Sequence, residues 1–129
     1  MALRAAVRHL QRHQGRPLSD FVADTDARWV IERGMQLCAQ NALDVATHLA
    51  VATGHDVADY GSAVEALGRS GVLPTEFSSA FRSVAGFRNV IVHAYLEVDV
   101  AQLHAFLDER LGDFLVFADH VDDWMASGA

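Results

Sequence analysis

The sequence predicts an all-α antiparallel bundle of about five helices, and three observations carry that reading. Apolar residues recur three or four positions apart along nearly the whole chain, as they do on one face of a helix. Nothing alternates with period two for long enough to suggest a sheet. The breaks between periodic segments are short, which makes consecutive helices antiparallel neighbours.

Leu3, Ala6, Val7 and Leu10 mark a first helix, ended by Gly15 and Pro17. Ser19 or Asp20 is placed to cap a long second helix that runs to about Gly54. Its apolar positions include Phe21, Val22, Trp29, Val30, Leu37, Leu43, Val45, Ala46 and Leu49. Gly34 inside it costs about 1 kcal/mol against alanine, which points to the close approach of another helix. After Asp59 a short helix carries Ala63, Val64 and Leu67 and stops at Gly71. Pro74 suits a first helical turn and opens a fourth helix, through Phe77, Phe81, Val84, Ala85, Phe87, Ile91 and Val92, to about Tyr95. Asp99 caps the last helix, which carries Leu103, Phe106, Leu107, Leu111, Phe114, Leu115, Phe117, Val121 and Trp124.

At 129 residues the chain has the length of one domain, taken as 1–129, and no internal repeat or low-complexity stretch divides it. A hydrophobic content of 51% with 21% charged residues excludes a disordered tail. No apolar run approaches the ~18 residues of a membrane span, and no signal-peptide pattern opens the chain. Cys38 is alone, so neither an internal disulfide nor a cysteine-based zinc site is expected. The expectation is a cytoplasmic domain with no cofactor, no metal and no membrane partner. Seventeen acids against ten bases give a net charge of −7, which argues against a general nucleic-acid binder and against DNA. All ten bases are arginine. Arginine binds phosphate bidentately, but genomic base composition is the plainer reading in a chain also rich in Ala, Val, Asp and Gly.

One segment carries chemistry: Phe87-Arg88-Asn89-Val90-Ile91-Val92-His93-Ala94-Tyr95. Arginine, asparagine, histidine and tyrosine interrupt an apolar helix near its C-terminus. On an ideal helix Arg88 and Tyr95 lie about 20° apart around the axis, and Asn89 and His93 about 40°. Arg88 and His93 diverge by about 140°. One straight helix does not aim both at a single phosphate. Either the helix ends near His93 or two copies of the motif meet across a dimer, and the divergence favours a composite site. Arginine can hold a phosphate and offset charge developing on it. A histidine titrating near neutrality can take a proton from a ribose 2′-hydroxyl or give one to a leaving 5′-oxygen. Asn89 could orient the ring or a substrate oxygen, and Tyr95 offers a hydroxyl that can accept a transferred group. Together these groups suit metal-independent RNA cleavage with a 2′,3′-cyclic phosphate product. The plainer reading is a helix-end arginine and an ordinary histidine.

Arg88 through Tyr95 resembles the Arg-x4-His-x-Tyr signature of HEPN domains, in particular the HepT-like toxin family. The likeness extends over nearly the whole chain. It runs from LSDFVADTDARWVIERGMQLCAQNALDVATHLA, through DYGSAVEALGRSGVLPTEFSSAFRSVAGFRNVIVHAYLEVD, to VDVAQLHAFLDERLGDF, with the first helix its least distinctive part. The resemblance implies a HEPN-like bundle that is the toxin of a type VII-like toxin–antitoxin pair. It further implies a homodimer with facing Arg-x4-His motifs, Arg88 and His93 as the ribonuclease residues and Asn89 in support. Tyr95 matches the tyrosine that an MntA-type nucleotidyltransferase antitoxin modifies with AMP to silence the toxin. The alternative is a non-catalytic nucleotide-binding or adaptor subunit partnering such a nucleotidyltransferase, a reading that the acidic net charge favours.

Other positions carry less. Arg4, Arg8 and Arg12 form a stripe that Arg16 extends, suited to contacting RNA or simply solvated. His9 and His13 have metal-ligand spacing but no evident third ligand. Asp44 and His48 are four apart, which fits either a group assisting the site or a buried polar pair at a packing seam. Asp24 and Asp26 suit the first turns of a helix. His104 and His120 read as bundle-face residues, and Asp119 to Asp123 as a solvated end. Trp29 and Trp124 read as core or interface anchors rather than base-stacking platforms.

Overall fold

The computed structural model describes the backbone of residues 2–93 and 99–128 and the side chains of residues 3–89 and 99–128. Among these residues the chain is helical, without strands: α1 (Ala2–Gln11), α2 (Leu18–Ala23), α3 (Thr25–Ala52), α4 (Tyr60–Arg69), α5 (Thr75–Phe81), α6 (Ser83–His93) and α7 (Val100–Ala126). No helix among them is long and apolar enough to cross a membrane.

Two of the expected five helices are broken, and each break has a local cause. The long second helix divides at Asp24, whose backbone is extended and whose carboxylate accepts from the Ala27 N–H at 3.0 Å. Asp24, not Ser19 or Asp20, therefore caps the long rod, since an extended residue with a side-chain acceptor satisfies an otherwise unpaired helix donor. Pro17 precedes α2 without a side-chain cap, and Asp20 lies inside the first turn of α2. The fourth helix divides at Arg82. There the Ala80 carbonyl accepts from the Ser83 hydroxyl at 2.8 Å and from Arg110 at 3.2 Å, so side chains compete with the helical ladder. The starts of α4 and α7 follow expectation, and the expected helix end at Tyr95 lies outside the described residues. Asp59 and Ser62 form a reciprocal capping box on α4, and Asp99 accepts from the Gln102 N–H to start α7.

One cluster of buried apolar side chains runs through all seven helices. Phe81 lies fully buried, stacked on Phe77 and Phe117 at 5.2 and 4.9 Å and edge-on to Phe114 at 5.9 Å. Phe87 of α6 stacks on Phe106 of α7 at 3.8 Å between ring centroids. The close approach expected at Gly34 is present: a Cβ there would sit 2.6 Å from Leu10 Cδ2 of α1.

The buried side of α3 differs in its first half from the one apolar periodicity suggests. Ile31, Met35, Cys38, Ala42, Ala46 and Leu49 are inside, while Val30 and Leu37 are exposed, as are Val22 on α2 and Trp29, at 66%. A helix apolar on more than one face does not reveal which face is covered. Trp124, by contrast, packs half-buried against the core. α1 lies against α3 and α7, whereas α6 lies against α3, α4 and α5. That second meeting of helices positions the polar segment.

Candidate functional site

Phe87 and Val84 turn inward from α6 and anchor it to the core, which leaves Arg88 and Asn89 toward α3, α4 and solvent. Arg88 is half-buried. Its Nε–H donates to Gln40 Oε1 of α3 at 3.0 Å, and its Nη1 donates to Asn89 Oδ1 at 3.3 Å. The guanidinium carbon also lies 5.3 Å from the centre of the Tyr60 ring, within cation–π range. Gln40 Nε2 in turn donates to Asp44 Oδ1 at 2.8 Å and to the Tyr60 hydroxyl oxygen at 3.0 Å, and the Tyr60 hydroxyl donates to Asp44 Oδ1 at 3.3 Å.

Beside this network lies an open cleft of about 650 Å3, bounded by Thr47 of α3, Asp59, Tyr60 and Gly61 at the start of α4, and Arg82, Gly86 and Asn89. Within α6, positions 86, 89 and 93 follow one another at intervals of three or four, so the backbone register of His93 continues the row of Gly86 and Asn89. The His93 side chain and the whole of Tyr95 lie outside the described residues. At the rim Arg82 pairs with Glu65 at 2.6 Å. The Asp59 carboxyl is held below the usual carboxylate range by the Ser62 backbone N–H and then by the Ser62 hydroxyl.

The arrangement brings Arg88 and Asn89 together and adds residues that sequence reasoning missed: Gln40, Tyr60 and Arg82. The four-residue step from Gln40 to Asp44 marks their contact on α3, but nothing in it points to Arg88. Asp44 and His48 are both exposed rather than a buried seam pair, and Asp44 bonds Gln40 and Tyr60 instead. The α1 arginines do not border this cleft. Arg4 is held by Asp119 and Asp122 of α7 at 2.7 Å each, while Arg8 and Arg12 are exposed. His9 is exposed and His13 half-buried, and no cluster of three metal-ligating side chains occurs among the described residues. His104 joins α7 to the α1–α2 connection through the Arg16 carbonyl at 2.6 Å, and His120 lies against Phe77 at 5.5 Å between ring centroids. Cys38 is buried, which pushes its thiol up to about 12.

Chemically, the site offers a guanidinium fixed in orientation against Asn89 and the Tyr60 ring, both of which line an open cleft. Preorganised positive charge of this kind stabilises a developing oxyanion without reorganising during the reaction.

The described residues form an all-α bundle whose α6 helix carries Arg88 and ends at His93. The chain superposes on the tri-AMPylated HEPN toxin of Shewanella oneidensis, solved in complex with its MNT antitoxin, with a TM-score of 0.81 at 20% identity, covering 94% of this chain and 91% of that one. Residues 3–121 match the family described as Ribonuclease HepT-like, and the chain belongs to that family. A curated relative, the tRNA nuclease HepT of Aphanizomenon flos-aquae (strain 2012/KM1/D3), is 23% identical over 119 residues, spanning 91% of this chain and 80% of the relative.

Proposed function

We propose that the protein is the toxin of a toxin–antitoxin pair and acts as a metal-independent endoribonuclease. The observation that carries this reading is Arg88, held by Gln40 and by Asn89 and Tyr60, two residues that line an open cleft, in a chain of the HepT-like ribonuclease family. In this mechanism Arg88 binds the scissile phosphate and offsets its growing charge. His93 removes the proton from the ribose 2′-hydroxyl and supplies one to the departing 5′-oxygen, leaving a 2′,3′-cyclic phosphate. Asn89 supports both groups. The relative named a tRNA nuclease makes tRNA the first RNA to assay.

The reading includes a homodimer. The ~140° divergence of Arg88 and His93 around one helix supports a site completed between two copies. So do the exposed apolar side chains Trp29, Val30 and Leu37 on α3, the last about one turn before Gln40. Exposed Arg8 and Arg12 are available to RNA phosphates, and Arg4 is available only if its two ion pairs open. Tyr95 is the proposed AMP acceptor for an MntA-type nucleotidyltransferase antitoxin, a role supported by the AMPylated state of the Shewanella oneidensis toxin. An AMP phosphate two residues beyond His93 would capture Arg88 and exclude RNA.

The test is cleavage of tRNA and mRNA by purified protein in EDTA, with Tyr95 shown by mass spectrometry to be unmodified. Cleavage lost in both Arg88→Ala and His93→Ala is expected. Unchanged cleavage in His93→Ala rejects the mechanism, and no cleavage by the unmodified wild type favours an adaptor that docks a nucleotidyltransferase.

A further inference from the structure

Arg88, though half-buried, is held differently from the arginines in close ion pairs. Arg4, Arg82 and Arg110 each meet a carboxylate within 2.7 Å, whereas among the described residues no carboxylate pairs with Arg88. Its Nε–H meets a neutral amide instead, and Asp44 stands one hydrogen bond further back. The amide has only one orientation consistent with these contacts. Its oxygen must face the Arg88 donor, so its nitrogen faces the Asp44 carboxylate and the Tyr60 hydroxyl oxygen. The guanidinium is thereby fixed along its Nε edge and over the Tyr60 ring. A glutamate at position 40 would hold the same edge, but as a charged partner it would offset the positive charge that a phosphate needs.

We propose that Gln40, backed by Asp44 and Tyr60, is a positioning residue that orients Arg88 through a neutral contact and leaves its charge for the substrate phosphate. This rests on the reading of Arg88 as the phosphate-binding group. Two variants separate orientation from charge, and each is read twice: by solvent exchange of the Arg88 Nε–H in 15N NMR, and by steady-state RNA cleavage. Gln40→Met removes the contact on a helix-compatible side chain, so the Arg88 Nε–H loses protection and kcat falls about tenfold with little change in KM. Gln40→Glu keeps or raises the protection, yet kcat still falls and the Arg88 resonance responds more weakly to added inorganic phosphate. Melting temperatures of both variants stay near wild type. Unchanged exchange in Gln40→Met overturns the positioning role, and full activity in Gln40→Glu overturns the need for a neutral contact. If the unmodified wild type cuts no RNA, the nuclease reading fails separately. Nε–H exchange and the phosphate titration then decide the proposal: the stated responses uphold it and unchanged ones overturn it.

Discussion

The two sides of α6 are held by opposite means. Toward α7, Phe87 stacks on Phe106 in an apolar seam, while Phe81 of α5 packs against Phe77, Phe114 and Phe117. Toward α3 and α4, Arg88 is held by one hydrogen bond to Gln40 and by the face of Tyr60. Apolar packing is non-directional and tolerates no missing volume, whereas the polar network fixes one guanidinium and carries little of the burial. Damage to the first side should therefore appear as lost stability, and damage to the second as lost chemistry in a folded protein.

The largest effect is expected at the aromatic seam. Phe81→Ala should cost about 3–5 kcal/mol in urea unfolding, because a fully buried ring leaves a cavity among three others. A loss below about 1 kcal/mol would show that the seam collapses around the gap. Gly68→Ala comes next. A Cβ there would lie 2.6 Å from Ser78 Oγ, which is itself fixed by a 2.8 Å bond to the Val64 carbonyl. The neighbour cannot swing aside cheaply, so a loss of about 1–3 kcal/mol is expected by the same measurement.

Gly86→Leu sharpens the contrast from the other side. A Cβ at Gly86 meets nothing within 4 Å, and the position borders the cleft. Stability should hold or rise by up to about 1 kcal/mol, since glycine is a poor helix former. RNA cleavage should nonetheless fall several-fold as the leucine fills the cleft. Unimpaired cleavage would place the substrate elsewhere.

The smallest effects are titrations. In the native protein Cys38 should resist iodoacetamide at mildly alkaline pH, because its thiol is buried and pushed up to about 12. Rapid alkylation would mean that α3 opens. Asp59, whose pKa is lowered from 3.8 in the folded state, stabilises α4 fully above that value and loses the contribution as pH falls through its folded pKa. Asp59→Asn still caps the helix but does not titrate, so its melting temperature should decline less than that of wild type between about pH 5 and pH 2.

The same division separates what could be read in the sequence from what could not. The cap at Asp99 and the start of α4 after Asp59 were legible because an acidic residue there directly precedes an apolar helical period. The helices were legible because burial imposes a period of 3.6. The break at Asp24 was hidden by apolar residues that continue on both sides of it, and the break at Arg82 by its dependence on Arg110, which reaches the Ala80 carbonyl 30 residues away. The covered face of α3 was misread at Val30 and Leu37, where apolar residues point away from the monomer core. Arg88 and Asn89 stood out as polar residues on an apolar helix. Gln40 did not, because its role comes from a contact across 48 residues that no spacing encodes. Asp44 was noticed for a partner, His48, that it does not bond.

The proposed site draws Arg88 from one copy and His93 from the other, because the two diverge by about 140° around a single helix. Co-expressing Arg88→Ala and His93→Ala chains with different tags, then purifying the mixed dimer, tests it most directly. In that dimer one of the two sites keeps both residues, so about half of the wild-type cleavage rate per dimer is predicted from two inactive parents. A mixed dimer as inactive as either parent would contradict the composite site.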